Sequence, residues 1–195
     1  MIITTVEDGT IKELKVYDLS HMKTTMEAIT LQLSHILEHD SFSKNKCIQI
    51  CTSETLPSII RYPTGVICNV GMHKEEESHW IAMYFPYYGG RSEFFDPYGH
   101  HPEIYGKEFV SYLYKNGSCM TYNRRCLQSP TSKMSDQFCF YFVMNRNRLK
   151  SLSKISHSFE NDPSKNDQRV KVFIRRVLNR AKAKEDHKKI LTSFR

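Results

Sequence analysis

His79-Trp80-Ile81-Ala82-Met83-Tyr84-Phe85 is an apolar run, and after the turn signal Gly89-Gly90 a second run, Glu93-Phe94-Phe95, ends in Asp96-Pro97-Tyr98-Gly99. Short apolar runs bounded by Gly and Pro predict two buried strands, neighbours in a sheet. A histidine opens the first and an aspartate closes the second. Adjacent strands ending at one sheet edge bring an imidazole against a carboxylate, which fixes the histidine tautomer and stabilises its cation. That makes a general base and its orienter. The plainer alternative is a half-buried strand end at His79 and a simple turn at Asp96-Pro97.

Working outward, Cys47 to Cys51 and Gly65 to Val70 predict two further strands, and Met120-Thr121-Tyr122-Asn123 another, which together predict a mixed sheet. Pro102 to Lys115 has helical spacing, with Ile104, Phe109 and Leu113 on one side. Ser135 to Leu149 is apolar on nearly all sides, as in a helix buried within a domain. Met22 to His39 carries apolar residues every three or four positions and predicts a core-facing amphipathic helix. His35 and His39 lie one turn apart on it, but no third ligand is evident, so they are expected as surface histidines and no metal is expected.

Seven residues before Ser135 stands Gln128. A nucleophile at a helix N-terminus meets free backbone N–H groups and the positive end of the dipole, and a glutamine amide is a suitable oxyanion donor. His79, Asp96, Gln128 and Ser135 thus follow in a chemically coherent order. Without catalysis, Ser135 followed by Asp136 is ordinary N-cap chemistry. Cys139, one turn further on, is displaced by about 5.4 Å and is expected as a core residue, not a substitute nucleophile.

These residues resemble the adenain-type cysteine proteases of adenoviruses and Maverick/Polinton elements, related more distantly to the SUMO-specific proteases. The resemblance rests on Thr52-Ser53-Glu54-Thr55-Leu56-Pro57, Val66-Ile67-Cys68-Asn69-Val70, His79-Trp80 and Phe95-Asp96-Pro97-Tyr98-Gly99. It continues through Tyr122-Asn123, Leu127-Gln128-Ser129 and Gln137-Phe138-Cys139-Phe140-Tyr141-Phe142, roughly half the chain in all. It implies an α+β, papain-like cysteine proteinase fold with a central mixed sheet flanked by helices. It also implies His79 as general base, Asp96 as its orienting acid, Gln128 as oxyanion donor and Trp80 as a wall of the substrate cleft. The implied substrates, cut by peptide-bond hydrolysis, are viral precursor proteins with small residues near the cut or, for the SUMO-protease branch, diglycine tails; the short chain, Leu56-Pro57 and Gln128-Ser129 favour the viral or transposon branch.

The sequence departs from that family at the nucleophile. Where the family has cysteine followed by glycine, this chain has Ser135-Asp136. A thiol beside an imidazolium and a helix N-terminus becomes a thiolate, whereas a serine hydroxyl needs concerted proton removal. Asp136 adds an anion where an oxyanion would develop, at the edge of the cleft. Ser135 is an engineered trap, a natural serine nucleophile or a natural loss of catalysis; the second change at Asp136 argues for a natural sequence. The alternative function is an inactive homologue that binds protein or DNA.

The chain has 195 residues, 39% hydrophobic and 25% charged, the composition of one globular domain. No apolar window is long enough to span a bilayer, and Met1-Ile2-Ile3-Thr4-Thr5 does not open a secretory signal. An intracellular monomer is expected, in cytosol or nucleus or associated with a virion. The six cysteines form no C-x-x-C pair, and most are expected in the core. The net charge of +7 is unevenly spread: from Arg146 onward there are 15 Lys+Arg against 5 Asp+Glu, and the first 145 residues carry 13 against 16. Residues 1–150 are expected as the protease-like domain, 151–167 as a linker and 168–195 as a basic helical tail. Val170, Phe173, Ile174, Val177 and Leu178 form an apolar stripe on that tail. Arg169, Lys171, Arg175, Arg176, Arg180, Lys182 and Lys184 supply cations for a nucleic acid, an acidic membrane or a partner groove. The resemblance favours DNA, and implies a polyanion or an activating peptide in place of any small cofactor.

Overall fold

The computed structural model describes residues 4–7, 10–13, 34–37, 39–43, 45–71 and 79–193. Seven strands form one mixed sheet: β1 (Thr4–Glu7), β2 (Thr10–Glu13), β3 (Cys47–Thr52), β4 (Thr64–Asn69), β5 (Trp80–Phe85), β6 (Arg91–Phe95) and β7 (Cys119–Tyr122). Their order is β2-β1-β3-β4-β5-β6-β7. The pairs β1/β3, β3/β4 and β6/β7 are parallel, and β1/β2, β4/β5 and β5/β6 antiparallel. Among the described residues helices α1 (Lys107–Asn116), α2 (Ser135–Asn147), α3 (Leu152–His157) and α4 (Pro163–Ser193) accompany the sheet.

The sheet is covered on both faces, which explains why β4 and β5 read as continuous apolar runs. Successive side chains alternate between faces. Trp80, Ala82 and Tyr84 join Ile48, Ile50 and Ile67 under Phe138, Phe142 and Val143 of α2. Ile81, Met83 and Phe85 join Val66, Cys68 and Phe94 under Phe109 and Leu113 of α1. All residues of α2 from Phe138 to Met144 are buried, each full burial of a large apolar side chain contributing about 1.5–3 kcal/mol. The Phe95 and Phe142 rings stack 4.7 Å apart, fixing β6 to the helix. Gly65 permits the close approach of α2 to β4, because a Cβ there would stand 2.8 Å from Val143 Cγ1.

Three expectations change. The stretch expected as a linker instead holds α3 and the start of α4: Leu152, Ile155 and Phe159 are buried, and the Ser151 hydroxyl caps α3 by accepting from Lys154 N–H at 3.2 Å. A polar composition hid three apolar residues at helical spacing. The basic helix begins at Pro163, five residues before the expected start. Asp162-Pro163 marks its first turn, with proline at the first helical position and Asp162 Oδ1 accepting from Ser164 N–H at 3.0 Å. It is an integral part of the domain, with Val170, Ile174 and Val177 in the α2 core cluster. Finally, His35 is buried and its Nε2 lies 3.0 Å from Glu185 Oε2 on α4, so it is not a surface residue. His39 is half-buried, with its Nδ1 2.9 Å from the His35 carbonyl oxygen. Residues 34–37 are helical; the predicted helix over 22–33 lies outside the described residues.

Candidate active site

β5 and β6 are antiparallel neighbours, with Ala82 opposite Phe95, so the residue before β5 and the residue after β6 meet at one sheet edge. These are His79 and Asp96, and His79 Nε2 lies 2.8 Å from Asp96 Oδ1. Both are buried, the aspartate completely. With Nε2–H donated to the carboxylate, Nδ1 is the nitrogen left free to take a proton.

Asp96 is held by more partners than the sequence indicated. Tyr98 N–H donates to Oδ1 at 3.0 Å, and His100 N–H and the Tyr105 hydroxyl donate to Oδ2 at 2.8 and 3.0 Å. His100 Nδ1 lies 3.1 Å from the same Oδ2. Burial pushes the carboxyl up, but the hydrogen bond and charge of His79 and the Tyr98 and His100 amides outweigh it and keep Asp96 below its ordinary value. Asn123 fixes the backbone beneath, its Oδ1 accepting from Asp96 N–H at 2.9 Å and its Nδ2 donating to Asp96 O at 2.6 Å. The turn needs Gly99, with φ of +78° and a virtual Cβ 2.6 Å from the Arg125 carbonyl. Tyr98 and Tyr105 both stack on the His79 ring, with centroids 5.0 and 5.6 Å away. Tyr105 and His100 are not legible in the sequence because their roles depend on contacts between separate elements; Tyr98 and Asn123 lie inside the motifs of the resemblance, which gives them no task.

Ser135 is the first residue of α2, and Met134, not Ser135, occupies the N-cap position. Its Oγ accepts the Trp80 N–H at 3.2 Å. The hydroxyl therefore lies against the residue that follows His79, at a helix N-terminus. The Trp80 ring faces α2 from within the core and is 2% exposed, so its backbone, and not its side chain as a cleft wall, reaches this place. Asp136 is half-buried, and burial pushes its carboxyl up to about 6, against the pull of the backbone amides of the helix terminus. Cys139 is fully buried, and burial raises its thiol well above the ordinary value, which removes it as a nucleophile.

Gln128 is 1% exposed. Its Nε2 donates to Ser132 O at 2.7 Å and, at a long 3.5 Å, to the Tyr98 hydroxyl, while Oε1 is buried without a partner. An oxyanion would compete for the second, weaker contact.

In overall structure the chain is similar to ChlaDub1 from Chlamydia trachomatis, with a TM-score of 0.51 and 11% identity over 77% of each chain. The shared fold is α+β and papain-like, a central mixed sheet flanked by helices. No family model and no curated protein matches the sequence.

On this fold, α4 turns its apolar stripe to the domain and its cations outward. Lys171, Arg175, Arg176, Arg180 and Lys182 are exposed. Arg169 is used internally: it donates to Ser158 O and lies over the Phe159 ring, 5.5 Å from its centroid. Lys184 Nζ donates to His39 O at 2.7 Å. Among the described residues no group of His, Cys, Asp and Glu could hold a metal, and no helix is long and apolar enough to cross a membrane.

Proposed function

We propose that this chain is an adenain-like peptidase domain of viral or transposon type in which serine at the nucleophile position impairs peptide-bond hydrolysis. The observation that carries this is the buried His79–Asp96 pair at 2.8 Å, with Ser135 Oγ hydrogen-bonded to the amide of the next residue, Trp80. Acting in concert, His79 Nδ1 takes the Ser135 proton as Oγ attacks the scissile carbonyl. Asp96 holds the resulting imidazolium, and the N-terminal amides of α2 with Gln128 bind the oxyanion. Serine gives up its proton less readily than cysteine, and ionised Asp136 opposes the developing charge. Both slow the step.

The Gln128 Nε2, already donating to Ser132 O and the Tyr98 hydroxyl, and Asp136 favour a second reading, an inactive homologue that binds protein or DNA without cutting. Peptide hydrolysis by the parent, Ser135→Ala and Ser135→Cys/Asp136→Gly proteins separates the two. On the first reading the double variant gains hydrolysis over the parent by orders of magnitude. A folded double variant that neither cleaves nor reacts leaves the binding reading in place.

A further inference from the structure

The loop carrying Gln128 is fastened on two sides. Leu127 and Gln128 N–H both donate to Pro97 O, at 2.8 and 3.1 Å, tying it to the Asp96 turn. The opposite fastening comes from the first turns of α4. Asn166, 1% exposed, donates its Nδ2 to Leu127 O at 3.0 Å, and Asp167 Oδ1 accepts Ser129 N–H at 3.3 Å. Thus the residue before Gln128 and the residue after it are each bonded to the same helix, 38 or 39 positions further along the chain. Asn166 is itself fixed, because its Oδ1 accepts Glu160 N–H at 2.9 Å and its Nδ2 also donates to Glu160 O at 3.0 Å.

We propose that Asn166 and Asp167 are positioning residues that aim the Gln128 amide at the oxyanion, making the start of the basic helix part of the active site. The proposal rests on the oxyanion role given to Gln128 above. A preorganised donor is effective only when its N–H stands at the place where charge develops, and a glutamine on an irregular loop has no regular ladder to hold it there. Mere packing does not require two polar bonds placed on either side of one functional residue.

Two reactions of Ser135→Cys/Asp136→Gly protein separate aiming from general support. A peptide aldehyde adds sulfur to its carbonyl carbon as the C=O π bond opens, and the oxygen carries the charge before the thiol proton reaches it through His79. Iodoacetamide alkylates the same sulfur by expelling iodide, with no oxyanion. In that background Asp167→Ala and Asn166→Ala weaken aldehyde binding about tenfold or more, while alkylation at position 135, read by peptide mass spectrometry, stays within about twofold. Asp167→Asn keeps an acceptor for Ser129 N–H and restores the affinity. Equal losses in both reactions, or none in either, overturn the proposal. Independently, in the otherwise unmodified protein, Asp167→Ala speeds hydrogen exchange over residues 127–132 by about tenfold and leaves α2 unchanged. Unchanged exchange there also overturns it. Failure of the background protein to bind aldehyde overturns the peptidase reading instead, and the exchange result still decides whether α4 holds the loop.

Discussion

Trp80 N–H donates to Ser135 Oγ at 3.2 Å, joining the start of a strand to the start of a helix 55 residues later. A donor aimed at Oγ, together with the positive end of the α2 dipole, stabilises negative charge on whatever atom stands there.

Ser135→Cys is therefore expected to give a thiolate at lower pH than an ordinary cysteine, and Asp136→Gly in addition to lower that pH further by removing a neighbouring anion. Alkylation at position 135, followed against pH by mass spectrometry, should be about tenfold faster in the double variant than in the single one at neutral pH. Equal rates would clear Asp136 of any electrostatic part.

Asp136 also links stability to pH. Its carboxyl is pushed up to about 6 in the fold, above the usual unfolded value, so the folded state binds the proton more tightly and loses stability as pH rises through that interval. Asp136→Asn, matched in shape to the protonated form, should equal the parent near pH 4 and exceed it by roughly 1–3 kcal/mol at pH 7.5 in urea unfolding. A constant difference across that range would refute the assignment.

The approach of α2 to the sheet makes Gly65 critical. Gly65→Ala would place a Cβ 2.8 Å from Val143 Cγ1 and should cost about 1–3 kcal/mol. Val143→Ala in the same protein should recover part of this, giving a coupling of about 1 kcal/mol or more in a double-mutant cycle.

The exposed cations of α4 should bind duplex DNA without sequence preference and with a steep salt dependence. Changing Lys171, Arg175, Arg176 and Lys182 to glutamine should reduce the slope of log K against log salt by about 3 to 4 and leave thermal unfolding nearly unchanged. Deleting everything after Asn161 is a different experiment: it strips Val170, Ile174 and Val177 from the core, and loss of the fold is the expected result.

Local signals sufficed wherever the chemistry is written in neighbouring residues. The apolar runs at β3 to β6, the turn residues between them and the all-round apolar α2 specified a mixed sheet over a buried helix, because burial on both faces leaves a continuous pattern. His79 and Asp96 were legible for the same reason, since antiparallel neighbours of matched length must bring those strand ends together.

What lay beyond the sequence depends on which distant surfaces meet. Nothing near Tyr105 or Asn123 announces a bond to Asp96, and nothing near Asn166 or Asp167 announces one to the Gln128 loop. The polar stretch at 151–167 reads as a linker until Leu152, Ile155 and Phe159 find the core, where burial outweighs local composition. Trp80 could be placed on a strand but not on a face, because a run apolar at every position carries no alternation to mark its two sides. Sequence alone thus determined strands β3 to β6, the buried helix α2 and the His79–Asp96 pair. The tertiary structure decided how α4 packs, what surrounds Asp96 and where the Ser135 hydroxyl points, since each follows from contacts between segments far apart in the chain.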